Sequence, residues 1–238
     1  MKTLVTKSGI RVIRILAGRS NVFLVVSGKT NIIIDTGISH SWKKLQRNLL
    51  RMNITDVSYL VLTHTHFDHT QNAARLKEKY GLKVMVHETE AGYLASGNDN
   101  VPAGTTVISG FLVKKFARIF SKTFRYNTCE PDIIIDHFYD LTPAGIKGYV
   151  LHTPGHTDGS VSIIIDDEIA VVGDTMFGVF PGSVFPPFAD DVPAMIRSWG
   201  ELLKTNCRLF LPSHGSADSR ELVVRDYNRR IRKMTSVI

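Results

Sequence analysis

Six consecutive residues, His64-Thr65-His66-Phe67-Asp68-His69, carry three of the chain's nine histidines and a carboxylate. They follow directly on the apolar run Tyr59-Leu60-Val61-Leu62. Four metal-capable side chains on one turn constrain the fold more than any other stretch, because their spacing sets where they can point. Residues two apart at the end of a strand share a side, so His64 and His66 can pinch one ion. Asp68 and His69 then face elsewhere as the chain turns into the helix suggested by Asn72-Ala73-Ala74-Arg75-Leu76-Lys77-Glu78, and can hold a second ion nearby. The competing reading is a polar loop that happens to be rich in histidine; the spacing favours metal.

A pair of ions needs further ligands, and three other places offer them in the same context. Tyr149-Val150-Leu151 leads into His152-Thr153-Pro154-Gly155-His156, Ile169-Ala170-Val171-Val172 into Gly173-Asp174-Thr175, and Arg208-Leu209-Phe210-Leu211 into Pro212-Ser213-His214-Gly215. Strand ends are where a rigid scaffold presents chemistry. Gly155, Gly173 and Gly215 stand beside the candidate ligands, as expected of backbone that turns sharply or leaves room for an ion.

The ordered set Asp35-Thr36-Gly37, His64-x-His66-x-Asp68-His69, His156, Asp174 and His214 resembles the metallo-beta-lactamase superfamily of metal-dependent hydrolases, over roughly residues 20 to 216. The resemblance implies an α/β fold, a four-layer αβ/βα sandwich with two mixed sheets face to face and the metals in a cleft at one edge. It implies that His64, His66 and His156 hold the first metal, that Asp68, His69 and His214 hold the second, and that Asp174 bridges them. The phrases Pro154-Gly155-His156-Thr157, Gly173-Asp174-Thr175 and Ser213-His214-Gly215 are more similar to the glyoxalase II, lactonase and sulfur-dioxygenase branches than to drug-hydrolysing members. One large group of those uses a cysteine ligand, whereas Cys129 and Cys207 fall outside the motifs. Antibiotic hydrolysis is therefore not expected as the main activity. Glyoxalase II also carries a helical C-terminal region that recognises glutathione; the short stretch after His214 weakens a glutathione-thioester assignment.

The expected activity is hydrolysis of an ester, lactone or thioester by a hydroxide bridging two metals, with Asp68 both ligand and acid/base. Mixed imidazole and carboxylate ligands suit two zinc ions, and manganese or iron as well. The alternatives are a mononuclear iron dioxygenase acting on persulfides, or a metal-dependent phosphodiesterase or ribonuclease. A complete set of second-metal ligands favours hydrolysis, and makes a purely non-catalytic binding protein the weakest reading.

The chain has 238 residues, 43% of them hydrophobic, ample for a core, and its ligand motifs must converge; we expect one domain over 1–238. The net charge of +7 invites a nucleic-acid partner. Yet the basic residues cluster in the insertion described below and in the tail Arg225, Arg229, Arg230, Arg232 and Lys233, with only Tyr227 as a stacking platform, so nucleic acid is disfavoured. A small substrate, anionic or acyl, explains the charge more simply. No stretch approaches the ~20 apolar residues of a membrane span. With no secretory leader at Met1-Lys2-Thr3-Leu4-Val5-Thr6-Lys7 and two cysteines far apart, a cytoplasmic protein without a disulfide framework is expected. Oligomeric state is left open.

Periodicity predicts strands at Ile10 to Ala17, Asn21 to Ser27 and Thr30 to Ile34, an antiparallel meander closed by Asp35. Asp35 is expected either to hydrogen-bond the ligand loop or to be a plain turn residue. Helices are predicted over Ser41 to Met52, His69 to Tyr80, Glu88 to Ala95, Val192 to Thr205 and Asp218 to Lys233. The segment from about 97 to 132 interrupts the rhythm. In it Leu112, Val113, Phe116, Ile119, Phe120 and Phe124 recur at helical spacing opposite Lys114, Lys115, Arg118, Lys122 and Arg125. This basic amphipathic helix reads as a lid over the cleft, an interfacial helix on anionic lipid, or an ordinary surface helix. His40, His87, His137 and His152 read as structural or solvent-facing, with His152 a candidate support for His156. Phe177, Phe180, Phe185 and Phe188 either wall the cleft or tuck into the core.

Overall fold

The computed structural model describes residues 2–98, 105 and 125–235. The first sheet has seven strands in the order of the chain: β1 (Thr3–Val5), β2 (Arg11–Leu16), β3 (Val22–Ser27), β4 (Thr30–Ile34), β5 (Tyr59–Val61), β6 (Lys83–His87) and β7 (Ile133–Ile135). The pairs from β1 to β4 are antiparallel and those from β4 to β7 parallel. The second sheet runs β13-β12-β11-β10-β9-β8, from β8 (Phe138–Asp140), β9 (Gly148–His152), β10 (Val161–Ile165), β11 (Ile169–Gly173), β12 (Leu209–Pro212) and β13 (Asp218–Ser219). There only the β11–β12 pair is parallel.

The composition of the strands explains this stacking. β10 and β11 are buried along their whole length, so both their faces must be covered, and both are rich in Ile and Val. Phe23, Val25, Ile32, Ile34, Val61 and Met85 of the first sheet meet Val150, Val161, Ile163, Ile165, Val171 and Leu211 of the second in one apolar layer. The outer face of the first sheet packs on α1 (Trp42–Arg51), α3 (Ala73–Tyr80) and α4 (Glu88–Ser96), through Leu45, Leu49, Leu76 and Leu94. That of the second packs on α5 (Val192–Leu202) and α6 (Arg220–Thr235), through Met195, Trp199, Leu202 and Val223. Helix, sheet, sheet, helix is the expected αβ/βα sandwich.

Several expectations need correction. The opening meander is present, but it is preceded by β1, whose three residues carry too little pattern to be read. The helix expected from His69 to Tyr80 is two helices, α2 (Phe67–Thr70) and α3, interrupted at Gln71 and Asn72. Buried Asn72 causes the break, because its amide donates to the carbonyls of Thr36, Gly37 and Ile38 at 3.0, 3.2 and 2.9 Å and its own backbone leaves helical angles. α5 stops at Leu202 rather than Thr205, where the Thr205 hydroxyl takes the Leu202 carbonyl. α6 starts at Arg220 because Asp218 and Ser219 are in β13. The amphipathic helix expected around 112–124 lies outside the described residues. No helix among the described residues is long and apolar enough to cross a membrane.

Candidate metal centre

All seven predicted site residues come together on loops that leave the strands at one edge of the sandwich. His64 and His66 lie in the loop after β5, Asp68 and His69 in the single turn of α2, His156 between β9 and β10, Asp174 after β11 and His214 after β12. The first sheet thus contributes four of them and the second sheet three. Three glycines permit the close approach. An added Cβ at Gly155 would lie 2.2 Å from the Met195 nitrogen, and one at Gly215 2.2 Å from the Gly178 carbonyl oxygen. Both have positive φ, a region costly for any other residue. Gly173, φ 55°, sits against the Thr63 side chain.

The nitrogens of three histidines converge: His66 Nδ1 is 2.9 Å from His64 Nε2 and 3.0 Å from His156 Nε2. β5 ends at Val61, so this convergence comes from the loop and not from strand alternation. The outer nitrogens decide where the protons are. His156 Nδ1 faces the Phe188 carbonyl at 2.9 Å and must donate to it. His64 Nδ1 faces the Thr63 hydroxyl at 3.1 Å, and that hydroxyl already donates to Asp35. Both Nε2 atoms therefore present lone pairs to His66 Nδ1, which can supply at most one proton.

A second group adjoins the first. Asp174 lies 3.5 Å from His69 Nε2, 3.6 Å from His156 Nε2 and 3.2 Å from His214 Nε2. Asp68 lies 3.8 Å from His69 and 3.5 Å from His214 at the same nitrogens. His69 Nδ1 donates to Asp35 Oδ2 at 2.8 Å, which orients the ring with Nε2 facing inward. His69 Nε2 and Asp174 Oδ1 are buried with no hydrogen-bond partner. Buried polar atoms left in this state are costly unless something else binds them. Donor atoms of His64, His66 and His156, of His64, His69 and Asp174, and of Asp68, His69 and His214 form three groups, each spanning less than 4.8 Å. This donor set, imidazole with carboxylate and no thiolate, fits zinc, iron or manganese.

Electrostatics follow from burial and proximity. Burial holds His64 well below the usual histidine range, and the neighbouring His69, His66 and His156 push the same way. Burial likewise lowers His156. For His69 burial opposes the charge, but Asp174, Asp35 and Asp68 outweigh it and raise the group well above its ordinary value. Burial also works against ionised Asp174, yet His214 and His69 hold it well below the usual carboxylate range. A compact site with alternating charge of this kind is built for a cation or for proton transfer.

Asp35, for which the sequence left two readings, and residues that sequence reading did not single out complete the site. Asp35, at φ 59°, accepts from the Thr63 backbone and hydroxyl, from His69 and from the Ser213 hydroxyl, so it is a support of the ligand loops and not a plain turn residue. Glu90, buried on α4, accepts from the Thr65 backbone at 3.0 Å and from its hydroxyl. Ser20 donates to the Asp68 carbonyl at 2.5 Å. Thr63 and Ser213 adjoin ligand motifs and were open to inspection; Glu90 carries no sequence signal. His152 does not support His156: its Nε2 meets the Asp158 carbonyl and its ring stacks on His87 at 4.0 Å. Of the phenylalanines, Phe177 stacks on His214 at 4.6 Å, Phe188 lends its carbonyl to His156, Phe180 is exposed, and Phe185 packs on Trp199 under Arg230.

Comparison with known proteins agrees with this geometry. Residues 15–214 match the profile of the metallo-beta-lactamase superfamily. The chain belongs to that superfamily. A probable metallo-hydrolase of Methanocaldococcus jannaschii is 30% identical over 207 residues, covering 84% of this chain and 90% of that protein. A probable metallo-hydrolase of Bacillus subtilis is 27% identical, covering 67% of each. Among solved structures, one determined in a di-iron-bound form is 24% identical with a TM-score of 0.66, covering 90% of this chain and 98% of that one. An archaeal superfamily member from Sulfolobus tokodaii has a TM-score of 0.65 at 20% identity, covering 94% and 86%. At these identities the solved structures speak for the fold alone.

Proposed function

We propose that this metallo-hydrolase holds two divalent ions and cleaves an ester, lactone or thioester of a small molecule. His64, His66 and His156 would hold the first ion, Asp68, His69 and His214 the second, and Asp174, which approaches His69, His156 and His214, would serve both. The observation that carries this reading is an Asp174 carboxylate flanked by the Nε2 atoms of His69, His156 and His214, with the His69 and His156 rings each oriented by an outward hydrogen bond at Nδ1. When bound, such ions lower the pKa of water toward neutrality and polarise the scissile carbonyl. Zinc suits the donors best, with manganese and iron as the other ions the set accepts.

The protein's own groups do the rest. Asp68 is the only one of the three carboxylates at the centre, Asp35, Asp68 and Asp174, that carries neither the hydrogen bonds of Asp35 nor the flanking of Asp174 by three imidazoles. It accepts a hydrogen bond from the attacking water and takes its proton, then returns it to the leaving group. Asp35, through His69 Nδ1, holds the imidazole in one tautomer, and Phe177 covers His214 and keeps bulk water from that side.

The test is elemental analysis of metals per chain in freshly purified protein, with oxygen uptake on glutathione persulfide followed in parallel. Two ions, hydrolysis in a screen of lactones, thioesters and aryl esters, and no oxygen uptake support the proposal. One iron with oxygen uptake replaces it with a persulfide dioxygenase, and cleavage confined to phosphodiesters replaces it with a phosphodiesterase.

A further inference from the structure

Beside the histidine cluster, on the side of the β2–β3 turn, the surface sinks into a cavity of about 230 Å³. Its walls are the turn Leu16 to Ser20 and the segment Gly37 to Lys44. Arg19, His40 and Lys44 line it, and no Asp or Glu does among the described residues. Both walls are tied to the turn that carries the ligands. Ser20 holds the Asp68 carbonyl, the Thr36 backbone donates to the His69 carbonyl at 2.7 Å, and Asn72 grips the carbonyls of Thr36, Gly37 and Ile38. The cavity is thus fixed relative to the metal centre and does not drift with a loose loop.

Arg19 joins the two. Its guanidinium lies over the Phe67 ring at 4.9 Å, and its Nε is 4.0 Å from Asp68 Oδ2, with the side chain 61% exposed. At 4.0 Å the pair attracts but does not form a hydrogen bond, so the N–H donors of the fork are not consumed by Asp68. A stacked guanidinium on a residue that lines a concave basic surface is suited to a planar anion, which it can bind in bidentate fashion. Lys44 supplies a second cation: it stems from the opposite wall and its ammonium reaches the Ala17 carbonyl at 3.5 Å.

Resting on the hydrolytic reading of the adjoining centre, we propose that this cavity receives a carboxylate at the far end of the substrate's acyl group. The substrates are then monoesters or monothioesters of short dicarboxylic acids, with the ester carbonyl at the metal centre and the terminal carboxylate between Arg19 and Lys44. Arg19 is the residue that sets this preference.

Two measurements on metal-loaded protein test it. In calorimetric titration, glutarate should bind about tenfold more tightly than butyrate, because only glutarate has a second carboxylate for the cavity; any carboxylate–metal contact is common to both. R19Q or K44Q should bring the ratio to near one, and the wild-type ratio should fall between 50 and 500 mM salt. In parallel, kcat/KM for the 4-nitrophenyl monoester of glutarate should exceed that for 4-nitrophenyl butyrate, and R19Q should collapse this preference mainly through KM. A wild-type glutarate-to-butyrate ratio near one, or a ratio that survives both substitutions, overturns the proposal while leaving hydrolysis standing. A ratio that depends on Arg19 with no ester cleaved supports the anion site and removes the hydrolytic reading instead.

Discussion

Asp35 and Asp68 flank opposite nitrogens of one imidazole, His69, in different settings. Asp35 is fully buried and its carboxylate is taken up by Thr63, His69 and Ser213, so it orients those groups. Asp68 faces His69 and His214 and is approached by Arg19, and it is the residue proposed above to carry the proton. D68N should therefore retain most of the bound metal and lose about a hundredfold or more in kcat, measured with metal content and rate on the same sample; full activity would remove Asp68 from the proton path. A different carboxyl limits stability. Asp218 in β13 is buried, its Oδ2 has no hydrogen-bond partner, and burial pushes it up to about 7. The unfolded chain ionises this group near 3.8 while the folded protein keeps its proton until about 7, so stability falls as pH rises through that window. The loss is on the order of 4 kcal/mol once pH exceeds 7. Chemical denaturation of D218N should show a gain over wild type at pH 8 that is absent at pH 4, and equal differences at both pH values would show that Asp218 finds a partner.

At the level of elements, the ligands are placed by strand ends and by the glycines beside them. The loop after β12 and the segment after β11 run side by side. Gly178 donates to the His214 carbonyl at 2.9 Å, and Ser216 donates back to the Gly178 carbonyl at 3.0 Å. This bridge holds His214 under Phe177. G215A places a methyl in the path of the Gly178 backbone and forces φ 89° on a residue with a Cβ. It should cost about 2–4 kcal/mol and lower the metal content toward one ion per chain, read by denaturation and elemental analysis. Retention of two ions at wild-type stability would mean that the two loops separate freely. The broken helix between α2 and α3 illustrates the limit of pattern reading at this scale. The apolar spacing from His69 to Tyr80 is helical, but Asn72 caps three carbonyls of a loop thirty-odd residues earlier, and no local pattern announces a partner that distant.

For the whole molecule, the centre is a seam. His64, His66, Asp68 and His69 belong to the first sheet's loops, and His156, Asp174 and His214 to the second's. Protein contacts cross at the same place: Asp35 to Ser213, Asn21 to the Pro212 and Gly215 carbonyls, and the Val161 backbone to the Thr63 carbonyl at 2.8 Å. An ion held from both sides binds the folded state alone, since the unfolded chain cannot assemble the set. Chelation should therefore lower Tm and restoration of zinc should recover it, with about 3 kcal/mol per ion expected where free metal exceeds Kd a hundredfold. Equal Tm with and without chelator would indicate sheets joined by their apolar layer alone.

The seven candidate ligands were legible in the chain because each combines an apolar strand, a turn and a side chain whose chemistry is intrinsic to its residue type. The αβ/βα sandwich followed from the resemblance those motifs carry, and the runs of Ile and Val are consistent with strands buried on both faces. What tertiary structure alone decided is which groups face each other across the seam: Asp35 on His69 and Ser213, Glu90 on Thr65, His152 turned away to His87, and Arg19 poised between Asp68 and a basic cavity. These pairings join residues 25 to 178 positions apart in several cases, and hydrogen bonds and charge act over a few ångströms of space whatever the distance along the chain. Periodicity records only which face of an element is buried, so it can name the donors of a site but not the partners that orient them.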